Sequence, residues 1–148
     1  MHTVCQTPRT PKDPDSRKAA ERLPALSFRE YGNGSHKEFR EIPVEPLLFG
    51  DVVIARKELP ASYHLAVVVD DANQDVTVVT RGRDLLAASH VQRVLQFLLG
   101  LPEPRYLHHR LIMDDNGAKL SKRHGARTLR SLRAHGVSAS EIRARLQL

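Results

Sequence analysis

A strand, a helix and a second strand follow one another in the middle of this chain, and this succession constrains the fold more than any other feature. Val76–Thr80 contains only valine and threonine and is predicted to be a strand. A capping box beginning at Ser89 predicts a helix, and Gly100 supplies its left-handed end. Leu107–Met113 is predicted to be the next strand. Strands alternating with helices are typical of an α/β layered sheet, the fold class that we predict.

Other segments extend this pattern on both sides. Asp51–Arg56 is predicted to be a short strand. His64–Val69 is a nearly continuous apolar run, which fits a strand buried on both faces of a parallel sheet. Two short helices close the sequence, because Thr128 is placed to cap the first and Ser138 begins a second capping box.

Residues 1–46 differ in composition from the rest of the chain. They place several prolines among charged and small polar residues, and Tyr31–Ser35 adds a turn-rich stretch. Such a composition buries little apolar surface. We therefore predict an irregular arm, or the remnant of an inserted subdomain, over residues 1–46, and the α/β domain over residues 47–148.

Length and charge limit the class of protein without naming a partner. The 148 residues fit one domain, and the formal net charge of +6 suits either binding to a polyanion or an ordinary solvated basic surface. No apolar run approaches the ~20 residues of a membrane span, and the N-terminus does not resemble a secretory signal. A single cysteine excludes an internal disulfide. We expect a cytoplasmic protein with no membrane partner.

The segment that most suggests chemistry is the basic loop of residues 119–123. Lys119 and Lys122 lie three residues apart with the hydroxyl of Ser121 between them. Their ammonium groups can neutralise a triphosphate and follow the pyrophosphate as its bond to the α-phosphorus breaks. Charge stabilisation that develops in the transition state raises the rate. Taken alone, a basic motif this short is more often an ordinary surface loop.

The segments around this loop make the pattern more specific. Residues 111–123 resemble the strand, turn and KMSKS loop of class I aminoacyl-tRNA synthetases, in the glutamate-type variant with leucine in place of methionine. Further segments resemble the same family in order and spacing, namely residues 63–71, 81–86 and 98–106. The match runs from about Gly50 to about Arg123.

The resemblance implies the C-terminal half of a Rossmann-like nucleotide-binding core, preceded by a loosely structured N-terminal arm. Within the glutamyl branch, the short paralogues that act on queuosine in tRNA(Asp) match better, because only two short helices follow the lysine loop. Full glutamyl-tRNA synthetases continue into an anticodon-binding domain. The short enzymes activate glutamate with ATP, which carries magnesium as its counter-ion, and esterify it to the queuosine base. The implied partners are glutamate and tRNA, expected to be tRNA(Asp).

The resemblance also assigns roles to individual residues. Tyr63 matches a tyrosine that contacts glutamate, although a tyrosine anchoring a strand at an interface would fit the same position. Arg81 matches an arginine that pairs with a substrate carboxylate, a task suited to its forked donors. Lys122 matches the lysine that contacts ATP, and Lys119 and Ser121 shape the loop. These last three are the expected catalytic residues.

Histidines and acidic residues elsewhere do not suggest a metal site. His108 and His109 are adjacent on a predicted strand, so their side chains point to opposite faces and cannot share a metal. Asp70 and Asp71 are expected to form a solvated strand-end turn rather than an acid–base pair. With Cys5 as the only cysteine, we expect no metal site, and in particular no zinc, in this chain.

One signature of the family is missing. Class I synthetases carry a His-x-Gly-His tetrapeptide in the first half of the nucleotide fold, and this sequence contains none. Pre-organisation from both sides of the nucleotide is the main source of rate, so the chain alone is expected to be weak or inactive. We expect a fragment, a degenerate gene product, or one half of a split enzyme with a separate N-terminal half.

A second hypothesis is a non-catalytic module, derived from a synthetase core, that binds RNA or a protein partner. Its support is a cationic strip near the C-terminus, although a solvated helix face is the ordinary explanation. The strip consists of Arg123, Arg127, Arg130 and Arg133. An unrelated nucleotide-binding α/β domain has less support, because no glycine-rich phosphate loop is present.

Overall fold

The computed structural model describes residues 14–31, 39–58, 60–113, 117, 119–120 and 128–146. The chain divides into two compact units, Met1–Arg110 and Leu111–Leu148. The boundary that was predicted near residue 47 therefore lies inside the first unit. Within the described ranges, the first unit contains the sheet and the second contains a bridged turn and two short helices.

The first unit is built on a four-stranded sheet. Its strands are β1 (Ser27–Tyr31), β2 (Phe39–Pro43), β3 (Val78–Gly82) and β4 (Arg105–His109), in the spatial order β2-β1-β4-β3. β1 is antiparallel to β2 and parallel to β4, and β3 is also parallel to β4. Three neighbouring strands therefore run in the same direction, and their carboxyl ends share one edge of the sheet.

In the described part of the first unit, three α-helices accompany the sheet. They are α1 (Pro14–Glu21), α2 (Tyr63–Asn73) and α3 (Leu86–Leu99), the last preceded by a single 3-10 turn at Arg83–Leu85. Because α3 connects β3 to β4, these elements form a βαβ unit, and α2 packs against α3. The predicted α/β class is confirmed, with β3 displaced by two residues from the strand predicted at Val76–Thr80. Among the helices described, none is both long and apolar enough to cross a membrane.

Aromatic rings and side-chain hydrogen bonds join α3 to the sheet. Phe28 and Tyr106 are fully buried, with their ring centroids 5.4 Å apart in an edge-on arrangement. His90 of α3 packs against Phe28 and accepts a hydrogen bond from the backbone N–H of Glu45 at 2.9 Å. Gln96 lies six residues further along α3 and donates to the Tyr106 hydroxyl at 3.0 Å. The core is thus partly polar, and Nε2 of Gln92 and Oε1 of Gln96 are buried in it without a partner in the described part of the chain.

The end of α3 was predicted correctly and its beginning was not. Gly100 has a φ of 65° and closes the helix in the left-handed conformation, and the N–H of Leu101 donates to the carbonyl of Gln96 at 2.8 Å. The helix begins at Leu86, so Ser89 lies inside it rather than at its cap. Tertiary contacts use the Ser89 hydroxyl instead, and the side chain is fully buried.

The apolar run His64–Val69 is helical, so the prediction of a strand there is wrong. Ser62 caps α2, and its hydroxyl accepts from the N–H of Leu65 at 3.4 Å. A short apolar run does not show a period that separates a buried strand from a buried helix. Here the packing of α2 against α3 outweighs the β-propensity of three consecutive valines.

Three other predictions need correction. Asp51–Arg56 forms no strand. The region predicted as an irregular arm, residues 1–46, contains α1, β1 and β2 within its described part. β4 begins at Arg105 and ends at His109, earlier than the strand predicted at Leu107–Met113. β1 was missed because a charged residue, Glu30, occupies one of its buried positions and breaks the apolar alternation.

The second unit contains α4 (Leu129–Ala134) and α5 (Ala139–Leu146). Thr128 caps α4 by accepting from the N–H of Ser131 at 3.1 Å, and Gly136 follows the helix with a φ of 81°. Ser138 and Glu141 form the capping box of α5, with hydrogen bonds of 3.2 and 2.8 Å between each side chain and the other's N–H. The prediction of both helices and their caps is confirmed.

Candidate functional site

A buried polar cluster lies at the carboxyl ends of the parallel strands. β1 contributes Glu30, β3 contributes Arg81, β4 contributes His108, and α3 contributes Ser89, each exposed by 9% or less. Arg81 and His108 are direct neighbours in the register of β3 and β4. In open α/β sheets, ligands bind outside this edge. We call these four residues the Arg81 cluster.

Glu30 determines the protonation of His108. Its carboxylate accepts from the backbone N–H of His108 at 3.0 Å and lies 2.6 Å from Nδ1 of the same residue. The imidazole therefore carries its proton on Nδ1, which leaves Nε2 as an acceptor. Burial lowers the pKa of His108, and the Arg81 charge lowers it further, while Glu30 opposes both. The ring is neutral near pH 7.

Arg81 closes the cluster from β3. Its Nε–H donates to Nε2 of His108 at 3.2 Å, and its Nη2 donates to the hydroxyl of Ser89. Its guanidinium carbon lies 5.1 Å from the centroid of the Tyr106 ring, a distance suited to a cation–π contact. The arginine cation and the Glu30 carboxylate are thus linked through one neutral imidazole.

The same residues have the connectivity of a Ser-His-Glu catalytic triad. Ser89 Oγ lies 3.2 Å from His108 Nε2, and His108 Nδ1 faces Glu30. A nucleophilic serine must reach its substrate, however, and Ser89 has no exposed surface. Its hydroxyl also accepts from Arg81. The cluster is therefore better suited to positioning the Arg81 guanidinium than to nucleophilic catalysis.

The start of α2 lies near Arg81. The Tyr63 ring is 39% exposed and meets the His64 ring edge-on at 5.6 Å. The pKa of His64 is lowered by burial and then by Arg81, and its buried Nδ1 has no partner within the described part of the chain. Burial raises the pKa of Asp71, while Arg81 lowers it. His64 and Asp71 of α2 thus lie within the influence of the Arg81 charge, and Tyr63, which was predicted with Arg81 to contact glutamate, comes directly before His64.

The structure describes only the base of the predicted lysine loop. Lys119 is exposed and forms an isolated antiparallel bridge with Met113, and the N–H of Leu120 donates to the carbonyl of Ile112 at 2.9 Å. Gly117 between them has a φ of 75°, which glycine adopts without strain. Ser121 and Lys122, the other two predicted catalytic residues, lie outside the described residues.

The two adjacent histidines of β4 point to opposite faces, as predicted. His108 is buried in the Arg81 cluster, and His109 is exposed. Among the residues that the structure describes, no group of three or more His, Cys, Asp or Glu side chains is placed to hold a metal ion. Cys5 lies outside the described residues.

Glu30, Ser89 and His108 were not predicted as site residues, and His108 was considered only as a metal ligand and rejected. Glu30 lies in the region predicted to be irregular, and Ser89 was interpreted as a helix cap. One signal was present for Glu30, since it stands between aromatic residues Phe28 and Tyr31 in a segment of strand length. No comparable signal marks Ser89, because its hydroxyl is engaged only by residues distant in sequence.

The family of the chain follows from its sequence match over most of this structure. The family model described as tRNA synthetases class I (E and Q), catalytic domain, matches residues 38–146. The chain belongs to this family. The match covers Tyr63, Arg81, His108 and the whole lysine loop, and it begins after Glu30.

Two curated relatives of this class I synthetase chain carry the same name. It is 52% identical over 118 residues to the glutamyl-Q tRNA(Asp) synthetase of Rhodobacter capsulatus, which covers 78% of this chain and 42% of that protein. It is 38% identical over 138 residues to the protein of the same name from Symbiobacterium thermophilum, which covers 90% of this chain and 42% of that protein. The chain thus spans about two fifths of the length of these relatives.

Solved structures of synthetases share the fold of this chain. The glutamate-tRNA synthetase of Elizabethkingia anophelis matches 70% of this chain and 20% of its own, with a TM-score of 0.50 and 24% identity. The glutamate tRNA ligase of Elizabethkingia meningosepticum matches 78% of this chain and 24% of its own, with a TM-score of 0.50 and 23% identity. The predicted family and the predicted fold, part of a Rossmann-like class I core, are both confirmed.

Proposed function

We propose that this synthetase chain supplies the lysine-loop part of a catalytic domain that activates glutamate with ATP and transfers it to the queuosine base of tRNA(Asp). Membership of the class I family supports a tRNA ligase. The names of the curated relatives support glutamate as the amino acid and tRNA(Asp) as the acceptor. We place this reaction in the cytoplasm.

The position of Arg81 is the observation that carries the proposal. Its guanidinium is held at the carboxyl end of β3 by His108 and Ser89, at the edge where α/β sheets bind ligands. These two bonds use two of the five N–H donors of an arginine. A glutamate carboxylate is the planar anion that such a fork fits. Tyr63, at the start of α2, supplies a partly exposed hydroxyl and ring for the rest of the amino acid.

The lysine loop serves the nucleotide in this proposal. An oxygen of the glutamate carboxylate attacks the α-phosphorus of ATP, the bond to the β-phosphate oxygen breaks, and pyrophosphate leaves with its magnesium ion. Lys122 contacts ATP, and Lys119 and Ser121 shape the loop, so that positive charge meets the negative charge of the leaving group. Magnesium enters with ATP, and we expect no zinc to be bound by this chain.

The proposed reaction needs groups that this sequence does not contain. The His-x-Gly-His tetrapeptide of the family is absent from the 148 residues. We therefore propose that these residues alone are weak or inactive, and that the N-terminal half of the catalytic domain completes the nucleotide site. Positioning from only one side leaves most of the rate enhancement unrealised.

ATP–pyrophosphate exchange with glutamate tests this proposal. The chain is assayed alone, and also fused behind the part of the Rhodobacter capsulatus relative that precedes its match to this chain. Exchange is expected only in the fusion. There, Lys122→Ala is expected to lower it about a hundredfold, the effect of removing one transition-state contact. Lys57→Ala, a change at an exposed lysine of the first unit, serves as the matched control.

Two outcomes would contradict the proposal. Robust exchange by the chain alone would show that residues within it supply both sides of the nucleotide site. A fusion that folds, by circular dichroism, yet catalyses no exchange would show that this chain lacks a working glutamate or ATP site.

The basic helices of the second unit favour RNA binding without catalysis as the second candidate. Arg130 and Arg133 on α4 and Arg143 and Arg145 on α5 are all exposed. Arg123 and Arg127, also in the predicted strip, lie outside the described residues. A gel-shift titration over a range of salt concentrations separates the candidates. A steep salt dependence without preference among tRNAs supports the module, whereas selectivity for queuosine-containing tRNA(Asp) supports the ligase.

A further inference from the structure

We propose that Glu30, His108 and Ser89 are positioning residues that hold the Arg81 guanidinium in one orientation for a carboxylate ligand, with neutral His108 as the coupling group. The inference rests on the proposed function for the identity of that ligand as glutamate. The positioning itself rests on the hydrogen bonds of the Arg81 cluster.

The direction of each hydrogen bond is fixed by chemistry. Arginine only donates, so Nε2 of His108 must accept from the Nε–H of Arg81. Nδ1 of His108 must then carry the proton, and Glu30 accepts it at 2.6 Å. The second oxygen of Glu30 accepts from the backbone N–H of His108 at 3.0 Å, which fixes the carboxylate to β4. Glu30 thereby selects the one tautomer of His108 that binds Arg81.

Ser89 fixes the rotation that His108 leaves open. A single hydrogen bond at Nε would still allow the guanidinium plane to turn about the axis from Nε to Nε2 of His108. The second bond, from Nη2 to the Ser89 hydroxyl, stops this motion, and the Tyr106 ring lies 5.1 Å from the guanidinium carbon. A bidentate carboxylate contact needs such a fixed plane, because both oxygens must align with two N–H groups.

Protonation of His108 would undo the arrangement. An imidazolium has no acceptor at Nε2, and its charge would face the Arg81 cation in a buried site. The groups that face His108 are Glu30 from β1, Arg81 from β3 and Ser89 from α3. On β4 itself, the Tyr106 ring stacks on the imidazole with centroids 5.9 Å apart, and His109 is its neighbour. Burial is the first cause that lowers the pKa of His108, so the neutral form is retained near pH 7.

Pre-organisation is the functional gain. An arginine that is free in solution loses side-chain freedom when it binds a carboxylate, and this loss weakens binding. In this chain, three contacts restrict the side chain before any ligand arrives. Glu30 therefore acts on the ligand through His108 and Arg81, without a contact of its own.

Nuclear magnetic resonance on the full chain tests the positioning directly. The nitrogen shifts of His108 report its tautomer, and the solvent exchange rate of the Arg81 Nε–H reports how firmly the guanidinium is held. Glu30→Gln, which keeps the shape and removes the charge, is expected to mix the tautomers and to speed this exchange about tenfold, the effect of losing one charge-assisted hydrogen bond. Glu41→Gln on the neighbouring strand, at an exposed glutamate, is the matched control.

A second variant covers the case in which Glu30→Gln does not fold. Ser89→Ala removes the acceptor of Nη2 and leaves Glu30 and His108 in place. It is expected to speed exchange at the Nη2 protons while the His108 tautomer stays at Nδ1–H. Unchanged Arg81 exchange in both variants, or in Ser89→Ala alone if the other does not fold, would overturn the inference.

Titration with glutamate separates this inference from the proposed function. In the wild-type chain, glutamate is expected to shift the Arg81 Nε–H resonance, with affinity lost as the pH falls and His108 takes up a proton. Glu30→Gln is expected to lower the affinity of the chain for glutamate about tenfold. One outcome is that glutamate does not shift the Arg81 Nε–H resonance, although this proton exchanges slowly in the wild type and faster in the variants. The proposed glutamate site would then be wrong, and the positioning of Arg81 would stand. If glutamate binds equally well to Glu30→Gln, the positioning fails and the glutamate site stands.

Discussion

The two candidate sites of this chain are held in place by opposite means. In the first unit, Arg81 is buried and bonded to side chains from two other elements of the fold. In the second unit, Lys119 is exposed at the base of a bridged turn formed by residues near it in sequence. The first site depends on tertiary packing, and the second on a local motif.

Because of this difference, we expect the two sites to respond differently to changes in their surroundings. Charges inside the Arg81 cluster interact in a medium of low dielectric constant, so each change there has a large energetic effect. Charges on an exposed loop are screened by water and salt. A buried arginine can hold a ligand in a fixed orientation, whereas an exposed lysine such as Lys119 can follow a moving charge. The two properties suit an amino acid carboxylate and a departing pyrophosphate, respectively.

The largest expected effect comes from removing the anion of the buried cluster. Glu30→Ala removes the buried carboxylate that is linked to the Arg81 cation through His108, and arginine cannot lose its proton in a protein. We expect a loss of about 3–5 kcal/mol in the free energy of unfolding, measured by urea denaturation. Glu41→Ala, at an exposed position of β2, should change it by about 0.5 kcal/mol or less. Equal losses of unfolding free energy in the two variants would show that the buried Glu30 contributes no more to stability than an exposed glutamate.

A fall in pH should destabilise the first unit before the second. His64, His90 and His108 all have a pKa below the ordinary 6.5, with burial as the first cause. In the folded chain these histidines bind protons less readily than in the unfolded chain. The free energy of unfolding therefore decreases as the pH falls below 6.5. The stability associated with the neutral histidines is complete above pH 6.5 and is lost as the pH falls towards the lowered folded values.

The second unit should respond only at lower pH. The pKa of Glu141 is held below its ordinary 4.5 by the N–H and the hydroxyl of Ser138. The cap is therefore stabilising above pH 4.5 and is lost as the pH falls through the lowered value. Urea unfolding at about pH 7 and about pH 5.5, followed through resonances of each unit, should show a loss in the first unit alone. Equal losses in both units would contradict this assignment.

Sequence predicted those features that depend on neighbouring residues. The caps at Thr128 and Ser138 and the stop at Gly100 each involve groups within about one turn of the chain, so their patterns are visible in one sequence. The family likeness was visible for a similar reason, because its segments occur in a fixed order along the chain.

Features that depend on distant residues were not predicted. The α2 segment was interpreted as a strand because its helical state depends on packing against α3, which no local pattern displays. Glu30 and Ser89 belong to the Arg81 cluster through contacts 78 and 19 residues away in sequence, both to His108. A buried glutamate also contradicts the rule that strands bury apolar side chains. Arg81 itself was predicted only through the family likeness.

A smaller effect is expected at the two glycines that end helices, one in each unit. Gly100 and Gly136 have φ values of 65° and 81°, and a Cβ at either position would meet nothing within 4 Å. Alanine at either position should therefore cost about 1–2 kcal/mol from backbone strain alone. Urea denaturation of Gly100→Ala and Gly136→Ala measures both costs. A much smaller cost for Gly136→Ala would show that α4 contributes little to the stability of the second unit.

The smallest effect on stability is expected at the lysine loop, where the largest effect on catalysis is proposed. Lys119→Ala removes an exposed side chain, so the free energy of unfolding should change by about 0.5 kcal/mol or less. In the fusion that completes the nucleotide site, the same substitution should slow ATP–pyrophosphate exchange, because a charge near the leaving group is lost. Lys57→Ala should change neither quantity. The opposite result, a lower free energy of unfolding with unchanged ATP–pyrophosphate exchange, would contradict the contrast between the two sites. Lys119 would then be a structural residue, and the chemistry of the loop would depend on Lys122.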